Sequence, residues 1–305
     1  MKIKHIIEAR QFGREWLEKE LFPLAKEMEG IIKRGNSNVL QGKSMISFFY
    51  EPSTRTRCSF EAAMTLLGGR VIFSTENARQ FSSVAKGETL EDTIRILNGY
   101  HPDVIVLRYD KEGGAKIAAQ FSSVSIINAG DGTGEHPTQA LLDIYTIQKE
   151  LGKIDGISIA MVGDLVRGRT VHSLSYLLGQ FSDVKIYFVS PESLKMKDEI
   201  KNYLKEKNVS FFEATDLRKI APLVDVIYQT RIQKERGSSF DETGGFYIVN
   251  QEILNLMKKY AIIMHPLPRN EEISPEVDSD SRAAYFRQAE NGLYVRMALL
   301  KMMLS

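Results

Sequence analysis

The sequence predicts an α/β protein of two domains, each a mainly parallel sheet with helices on both faces, and an active site in the interdomain cleft. Three observations carry this. Short apolar runs alternate with stretches of helical periodicity along the whole chain, which is the pattern of parallel sheets covered by helices. The alternation comes in two sets and restarts after Gly152. The polar clusters fall after the carboxyl ends of the expected strands, where open α/β sheets bind ligands.

The elements follow in order. Residues 5–34 read as helices, with LFPL (21–24) as a break between two of them, because an internal proline ends or kinks a helix. The run 43–50 is a strand, 53–67 a helix, Gly68-Gly69 a turn and 70–74 a short strand. The polar stretch 75–87 reads as a loop, and loops of that length are lids or floppy surface segments. Then come a helix (88–100), the strand DVIVLR (103–108), a helix (111–121), the strand SIINAG (125–130) and a helix (136–151). The second set has strands at 156–163, 184–190, 209–214, 225–230 and 261–266, with helices at 168–181, 198–208, 215–223 and 251–260. The last segment, 283–304, is helical. Residues 1–135 are expected to form the first domain and 151–285 the second. A connecting helix at 136–150 joins them, and a C-terminal helix, 286–305, packs back on the first.

Bulk properties narrow the function. With 305 residues the chain can bury large cores without disulfides, and its one cysteine, Cys58, excludes a disulfide framework or a cysteine-based zinc site. A lone cysteine fits a reducing cytoplasm. With a net charge of +1, nothing at the level of the whole chain argues for a nucleic-acid or membrane surface, and neither partner is expected. The N-terminal stretch lacks the apolar segment of a signal peptide, and no apolar run has the length of a membrane span.

The most informative stretch is FFYEPSTRTRCSFEAA (48–63). Two guanidiniums and three hydroxyls stand where a strand gives way to a helix. A helix N-terminus offers unpaired N–H groups and the positive end of the dipole, so it favours anions. Arginines there are locally unfavourable unless an anion lies between them and the backbone. A phosphate would accept several charge-assisted bonds of roughly 1.5–3 kcal/mol each. The plain alternative is a helix start with solvated arginines. Similarly, an arginine ending a strand, such as Arg108, is ordinarily a surface residue, and a histidine before proline, such as His136, ordinarily starts a helix. Arg231 in TRIQKER could belong to a charged face. GDLVRGRT (163–170) is one residue from a P-loop, which needs lysine where Arg169 stands.

YEPSTRTRCSFE resembles the carbamoyl-phosphate signature of the carbamoyltransferases, the family that includes aspartate and ornithine transcarbamoylases. The resemblance continues through SSVAKGETLEDT, GDGTGEHPTQALLD, MVGDLVRGRTVHSL, TRIQKER, MHPLPRNEEISPEVD and QAENGLYVRMALL, in family order. It implies transfer of a carbamoyl group from carbamoyl phosphate to an amine, without covalent intermediate, cofactor or metal. HPLP at 265–268 lacks the cysteine of ornithine-type members, while Arg169, Arg231, Gln233 and Lys86 suit two carboxylates, so the implied acceptor is L-aspartate.

Carried over residue by residue, the resemblance implies that Ser53, Thr54, Arg55 and Thr56 hold the phosphate. Arg108 bridges phosphate and carbonyl. His136 meets the carbonyl oxygen and Gln139 the amide nitrogen. Arg169 and Arg231 bind the aspartate carboxylates with Gln233 in support, and the Leu267 and Pro268 carbonyls accept from the carbamoyl NH₂ and the incoming amine. Ser82 and Lys86 sit on the 75–87 lid, which in this family reaches the neighbouring subunit's site. The resemblance therefore implies a homotrimer in pyrimidine biosynthesis, with separate regulatory chains as a possible addition, and the lone cysteine suits a cytoplasmic location. Arg55, Thr56, Lys86, Arg108 and His136 are the expected catalytic groups. Arg57 is expected to brace the loop by ion pairs, Glu51 among its partners, and Cys58 to be buried packing. His265 is expected to shape its loop, and His5, His101 and His172 to be structural.

Overall fold

The computed structural model describes residues 3–35, 37–231 and 247–305. The backbone forms two compact units, one of Met1–Leu142 with Glu290–Ser305, the other of Asp143–Ala289.

The first unit holds a four-stranded parallel sheet. Its strands are β1 (Ser44–Phe49), β2 (Arg70–Glu76), β3 (Val104–Tyr109) and β4 (Ser125–Asp131), in the order β2-β1-β3-β4. Central β1 is buried at every position, which is why it reads as a mainly apolar run, broken only by the small Ser44 and Ser47, rather than an alternating one. Ile46, Phe48, Ile105, Leu107 and Ile126 pack with Leu90, Ile94 and Leu97 from a following helix. The helices are α1 (Phe22–Arg34), α2 (Thr54–Leu66), α3 (Leu90–Asn98) and α4 (Gly114–Phe121). In α3 the buried residues Leu90, Thr93, Ile94 and Leu97 recur at helical spacing, and the Thr89 hydroxyl caps the helix by accepting from the Asp92 N–H at 3.2 Å.

Four expectations need correction here. Residues 5–8 are not helical: Ile6 pairs with Ile127, its N–H donating to the Ile126 carbonyl at 2.8 Å, and so extends the sheet. No break falls at LFPL, since a helical turn at Arg14–Trp16 runs through a π-helical stretch, Leu17–Leu21, into α1. Pro23 stands in the first turn of α1, where a proline is tolerated. Segment 75–87 is not a bare loop: β2 runs on to Glu76, then come a helical turn, Ala78–Phe81, and a 3-10 turn, Ser83–Lys86, capped by the Ser82 hydroxyl. Cys58 is exposed, because α2 turns Thr56, Phe60, Ala63 and Met64 to the core and Cys58 away from it.

The second unit holds five parallel strands, β5 (Ser158–Val162), β6 (Lys185–Val189), β7 (Ser210–Ala214), β8 (Val226–Gln229) and β9 (Ile262–Met264), in the order β7-β6-β5-β8-β9. The chain enters this unit along α5 (Pro137–Leu151) and leaves along α9 (Tyr285–Leu304). Between these lie α6 (Arg169–Leu178), α7 (Asp198–Glu206) and α8 (Gln251–Leu256). The core includes Ala160, Val162, Val189, Leu217, Ile227 and Ile263. Among the described residues, no helix is long and apolar enough to cross a membrane.

Each sheet reverses its winding once. The reversal lies between β1 and β3 in the first unit and between β5 and β8 in the second. At such a switch point the connections after two adjacent strands diverge and leave a crevice at their carboxyl ends.

Candidate active site

In the first unit the switch point gathers polar groups from three connections. After β1 the chain reaches Ser53, the extended residue that precedes α2. Its hydroxyl does not cap the helix but accepts from Arg108 Nη1 at 3.2 Å. The pairing of β1 with β3 explains this, because Phe49 lies opposite Arg108 and the Tyr50 N–H donates to the Arg108 carbonyl at 2.9 Å. The same register brings Glu51 to Arg108 at 3.5 Å. Glu51 is therefore the partner of Arg108 and not of Arg57 as expected.

Arg57 does brace the loop, through Glu61 at 3.1 Å, the Ser74 hydroxyl at 2.9 Å and Glu76 at 3.5 Å. Glu76, which sequence reasoning missed, also accepts from the Ser53 N–H at 2.9 Å and the Thr54 hydroxyl at 3.4 Å. It ends edge strand β2, beside β1, so its place follows from sheet order and left no local signal.

Thr56 and His136 are both buried, and the Thr56 hydroxyl lies 3.5 Å from His136 Nε2. His136 immediately precedes α5, at the end of a turn organised by the buried Asp131. One oxygen of Asp131 accepts from the Glu135 N–H at 2.8 Å and the other from the Gly113 N–H at 2.9 Å. Gly132 has φ +50, and a Cβ there would come within 2.8 Å of the Glu112 nitrogen. Gln139 is buried, and its N–H donates to the His136 carbonyl at 3.0 Å. Arg55 is exposed in the first turn of α2. The structure thus joins Ser53 to Arg108 and Thr56 to His136 at one switch point. Ser82 is occupied locally, donating to the Ala78 carbonyl at 2.6 Å, and Lys86 is exposed at the end of its 3-10 turn.

The second unit repeats the arrangement with different chemistry. β5 runs into Gly163 (φ +120), where a Cβ would lie 2.5 Å from the Thr230 carbonyl oxygen. The close approach is sealed by the Thr230 N–H and hydroxyl, each donating to the Val162 carbonyl at 2.8 Å. The turn after Gly163 is held by Asp164, which accepts from the Arg167 N–H at 3.0 Å, and by a 2.7 Å contact of His172 Nε2 with the Leu165 carbonyl. Arg169 is the first residue of α6, and Arg231 follows directly on Thr230. Two guanidiniums therefore leave the carboxyl ends of neighbouring β5 and β8. Gln233 lies outside the described residues.

After β9, Leu267 adopts φ +52 and the Leu267–Pro268 peptide is cis. Buried His265 shapes this loop as expected: its Nδ1 accepts from the Leu267 N–H at 2.7 Å and its Nε2 lies 2.9 Å from Glu272. Burial pushes the Glu272 carboxyl up, but hydrogen bonds from His265 and from backbone N–H groups outweigh it and hold the carboxyl below its usual range. Behind the loop, Tyr228 donates to Asp143 at 2.7 Å, and burial beside that carboxylate raises the phenol far above its ordinary value.

Comparison with known proteins gives the family. Residues 4–149 match the family described as aspartate/ornithine carbamoyltransferase, carbamoyl-P binding domain, and residues 155–303 match the corresponding Asp/Orn binding domain. The chloroplastic aspartate carbamoyltransferase of Arabidopsis thaliana is 58% identical over 308 residues, covering 99% of this chain and 78% of its own. The catalytic subunit of the Methanocaldococcus jannaschii aspartate transcarbamoylase aligns with a TM-score of 0.90 and 48% identity, covering 99% of this chain and 98% of that one. Aspartate transcarbamoylase of Trypanosoma cruzi, solved with N-(phosphonacetyl)-L-aspartic acid, aligns with a TM-score of 0.92 and 42% identity over 100% of this chain and 97% of its own. The same enzyme has been solved with carbamoyl phosphate and aspartate together.

Proposed function

This chain belongs to the aspartate/ornithine carbamoyltransferase family, and from that premise we propose that it carries out carbamoyl transfer from carbamoyl phosphate to the α-amine of L-aspartate. The products are N-carbamoyl-L-aspartate and phosphate, in pyrimidine biosynthesis. The observation that carries the reading is the same in both units: basic side chains at the switch point of a parallel sheet. Ser53–Thr56 and Arg108 suit a phosphate. Arg169 and Arg231 suit the two carboxylates of aspartate, and Leu267 and Pro268 offer carbonyls to the reacting nitrogens. An ornithine side chain would instead bring a second cation towards Arg169 and Arg231.

In the reaction the amine lone pair attacks the carbonyl carbon, a C–N bond forms, and charge builds on the carbonyl oxygen. Thr56, Arg108 and His136 are assigned to that oxyanion, with Gln139 on the carbamoyl nitrogen. The C–O bond to phosphate then breaks. Phosphate leaves with the bonding pair, held by the first turn of α2 and Arg55, and one of its oxygens takes the proton from the amine. Alignment of two bound reactants supplies up to roughly 7–11 kcal/mol of the acceleration.

Ser82 and Lys86 are assigned to the site of a neighbouring subunit in a homotrimer. The family resemblance supports this, as does the exposure of Lys86 outside the hydrogen-bonded cluster of its own chain. A cytoplasmic location is the reading that the single cysteine favours, although plant relatives are named chloroplastic. Mass measurement of the purified protein tests the trimer and any added regulatory chain.

The deciding experiment supplies labelled carbamoyl phosphate with aspartate or ornithine. Labelled carbamoyl aspartate is expected and citrulline is not. Transfer to ornithine, or to neither amine, refutes the assignment.

A further inference from the structure

The loop after β9 is held from inside by a chain of buried polar groups that the reaction itself does not use. The Leu267 N–H donates to His265 Nδ1 at 2.7 Å, and His265 Nε2 meets Glu272 Oε1 at 2.9 Å. The same oxygen accepts from the Asn270 N–H at 3.1 Å. The His265 N–H donates to Gln288 Oε1 at 2.8 Å, and Gln288 Nε2 donates at 2.7 Å to Asp143, the acceptor of the Tyr228 hydroxyl. The side chains of His265 and Glu272 are 1% and 2% exposed.

These contacts fix the state of the ring. A backbone N–H can only donate, so the Nδ1 that receives it carries no proton. The neutral imidazole then carries its proton on Nε2 and donates it to Glu272, and the bond made by one ring nitrogen sets the role of the other. Leu267 is a non-glycine residue at φ +52, a conformation that persists only where its surroundings enforce it. We propose that Glu272 is a positioning residue for carbamoyl transfer. By holding His265 as the Nε2–H tautomer, it keeps Nδ1 an acceptor and so fixes the Leu267–Pro268 peptide. The inference rests on the reading above that these two carbonyls receive the reacting nitrogens. Without the carboxylate the Nδ1–H tautomer becomes accessible, and it would face the Leu267 N–H donor to donor.

The test pairs a spectrum with a double-mutant cycle. In the ¹⁵N spectrum of the whole protein, His265 is expected to show an unprotonated Nδ1 and a protonated Nε2. Glu272→Ala should move that signature and lower kcat between about 10-fold and 100-fold through misplacement of the loop, with the KM for carbamoyl phosphate little changed. His265→Asn places an amide oxygen where Nδ1 stands, an acceptor that needs no help from Glu272. In that background the Glu272→Ala penalty should shrink to less than about threefold. A purely structural role would instead give the same penalty in both backgrounds, which overturns the inference, as does wild-type turnover in Glu272→Ala. A protonated Nδ1 in the unmutated protein overturns it whatever the variants do. Should the chain transfer to no amine while Nε2 is protonated, the assigned reaction fails and the hold of Glu272 on His265 stands.

Discussion

Replacing Arg108 with alanine should separate catalysis from folding. Arg108 is the penultimate residue of β3, beside β1, with its side chain 13% exposed. Nη1 donates to the Ser53 hydroxyl at 3.2 Å and lies 3.4 Å from the Ala129 carbonyl, and Nη2 lies 3.5 Å from Glu51. Glu51 is a third exposed, so the ion pair is screened and stabilises by no more than about 1 kcal/mol. At about 2–4 °C per kcal/mol for a domain of this size, the ion pair accounts for no more than about 4 °C of Tm, and each of the two hydrogen bonds, at about 0.5–1.5 kcal/mol, adds about 1–6 °C. The catalytic effect is of another order. Loss of one preorganised donor at a developing oxyanion costs about 2.7–4 kcal/mol, or roughly 100- to 1,000-fold in kcat. Arg108→Lys should recover only part of this, because an ammonium keeps the charge but not the planar fork that meets several acceptors. The assay is carbamoyl aspartate formation at saturating substrates beside a thermal melt. A folded Arg108→Ala protein within about tenfold of the unmutated kcat, about 1.4 kcal/mol, would refute the assignment.

Other expectations follow from the same structure. Arg169→Ala and Arg231→Ala should each raise the KM for aspartate about 10- to 100-fold, one charge-assisted contact being about 1.5–3 kcal/mol. The KM for carbamoyl phosphate should stay near normal, and an equal rise for both substrates would count against the division of labour. Tyr228→Phe removes a donor from the fully buried Asp143 and should destabilise by about 1.5–3 kcal/mol, read as a lower Tm; an unchanged melt refutes it. Lys86→Gln and Arg55→Ala proteins, each inactive, should regain partial activity when dissociated, mixed and reassembled; no recovery argues against shared sites. Glu272 and Asp225 both have depressed pKa values, and Asp225 accepts from Lys258 at 2.7 Å. Carboxyls that are more acidic when folded contribute stability that is complete above their unfolded pKa and is lost as pH falls through the folded value. Stability should therefore drop below about pH 5, and Asp225→Asn should flatten that acid limb; an unaltered limb would exclude Asp225 as a source.

What the sequence revealed and what it concealed have distinct physical causes. Strands such as SMISFF and VIVLRY were legible because a parallel strand buried on both faces has to be an apolar run. Strand order is not written locally, so Glu51 was matched with Arg57, its neighbour in sequence, instead of Arg108, its neighbour across the sheet. Glu76 was hidden for the same reason, since only the edge position of β2 brings it to Ser53. The polar composition of 75–87 masked two short turns held by local contacts such as the Ser82 cap. Adjacent Glu271 and Glu272 are indistinguishable in sequence, yet one is exposed and the other is the buried partner of His265.

The same device occurs twice. STRTR opens α2 three residues after switch strand β1, and Arg169 opens α6 after switch strand β5. In both, a guanidinium stands in a first turn where the helix dipole disfavours a cation. An anion bound at the turn reverses the sign, because it is attracted by the dipole, the N–H groups and the guanidinium together. The basic residues at these turns therefore cost the helix a little and return it on binding. The connections decide which anion each turn prefers. The first adds hydroxyls from Ser53, Thr54 and Thr56, acceptor and donor groups suited to a phosphate with several oxygens. The second adds Arg231, which follows β8 and Thr230, a second planar fork that suits the second carboxylate of the proposed substrate. On the proposed assignment, two copies of one strand-to-helix junction, differing in a handful of side chains, would sort phosphate from dicarboxylate.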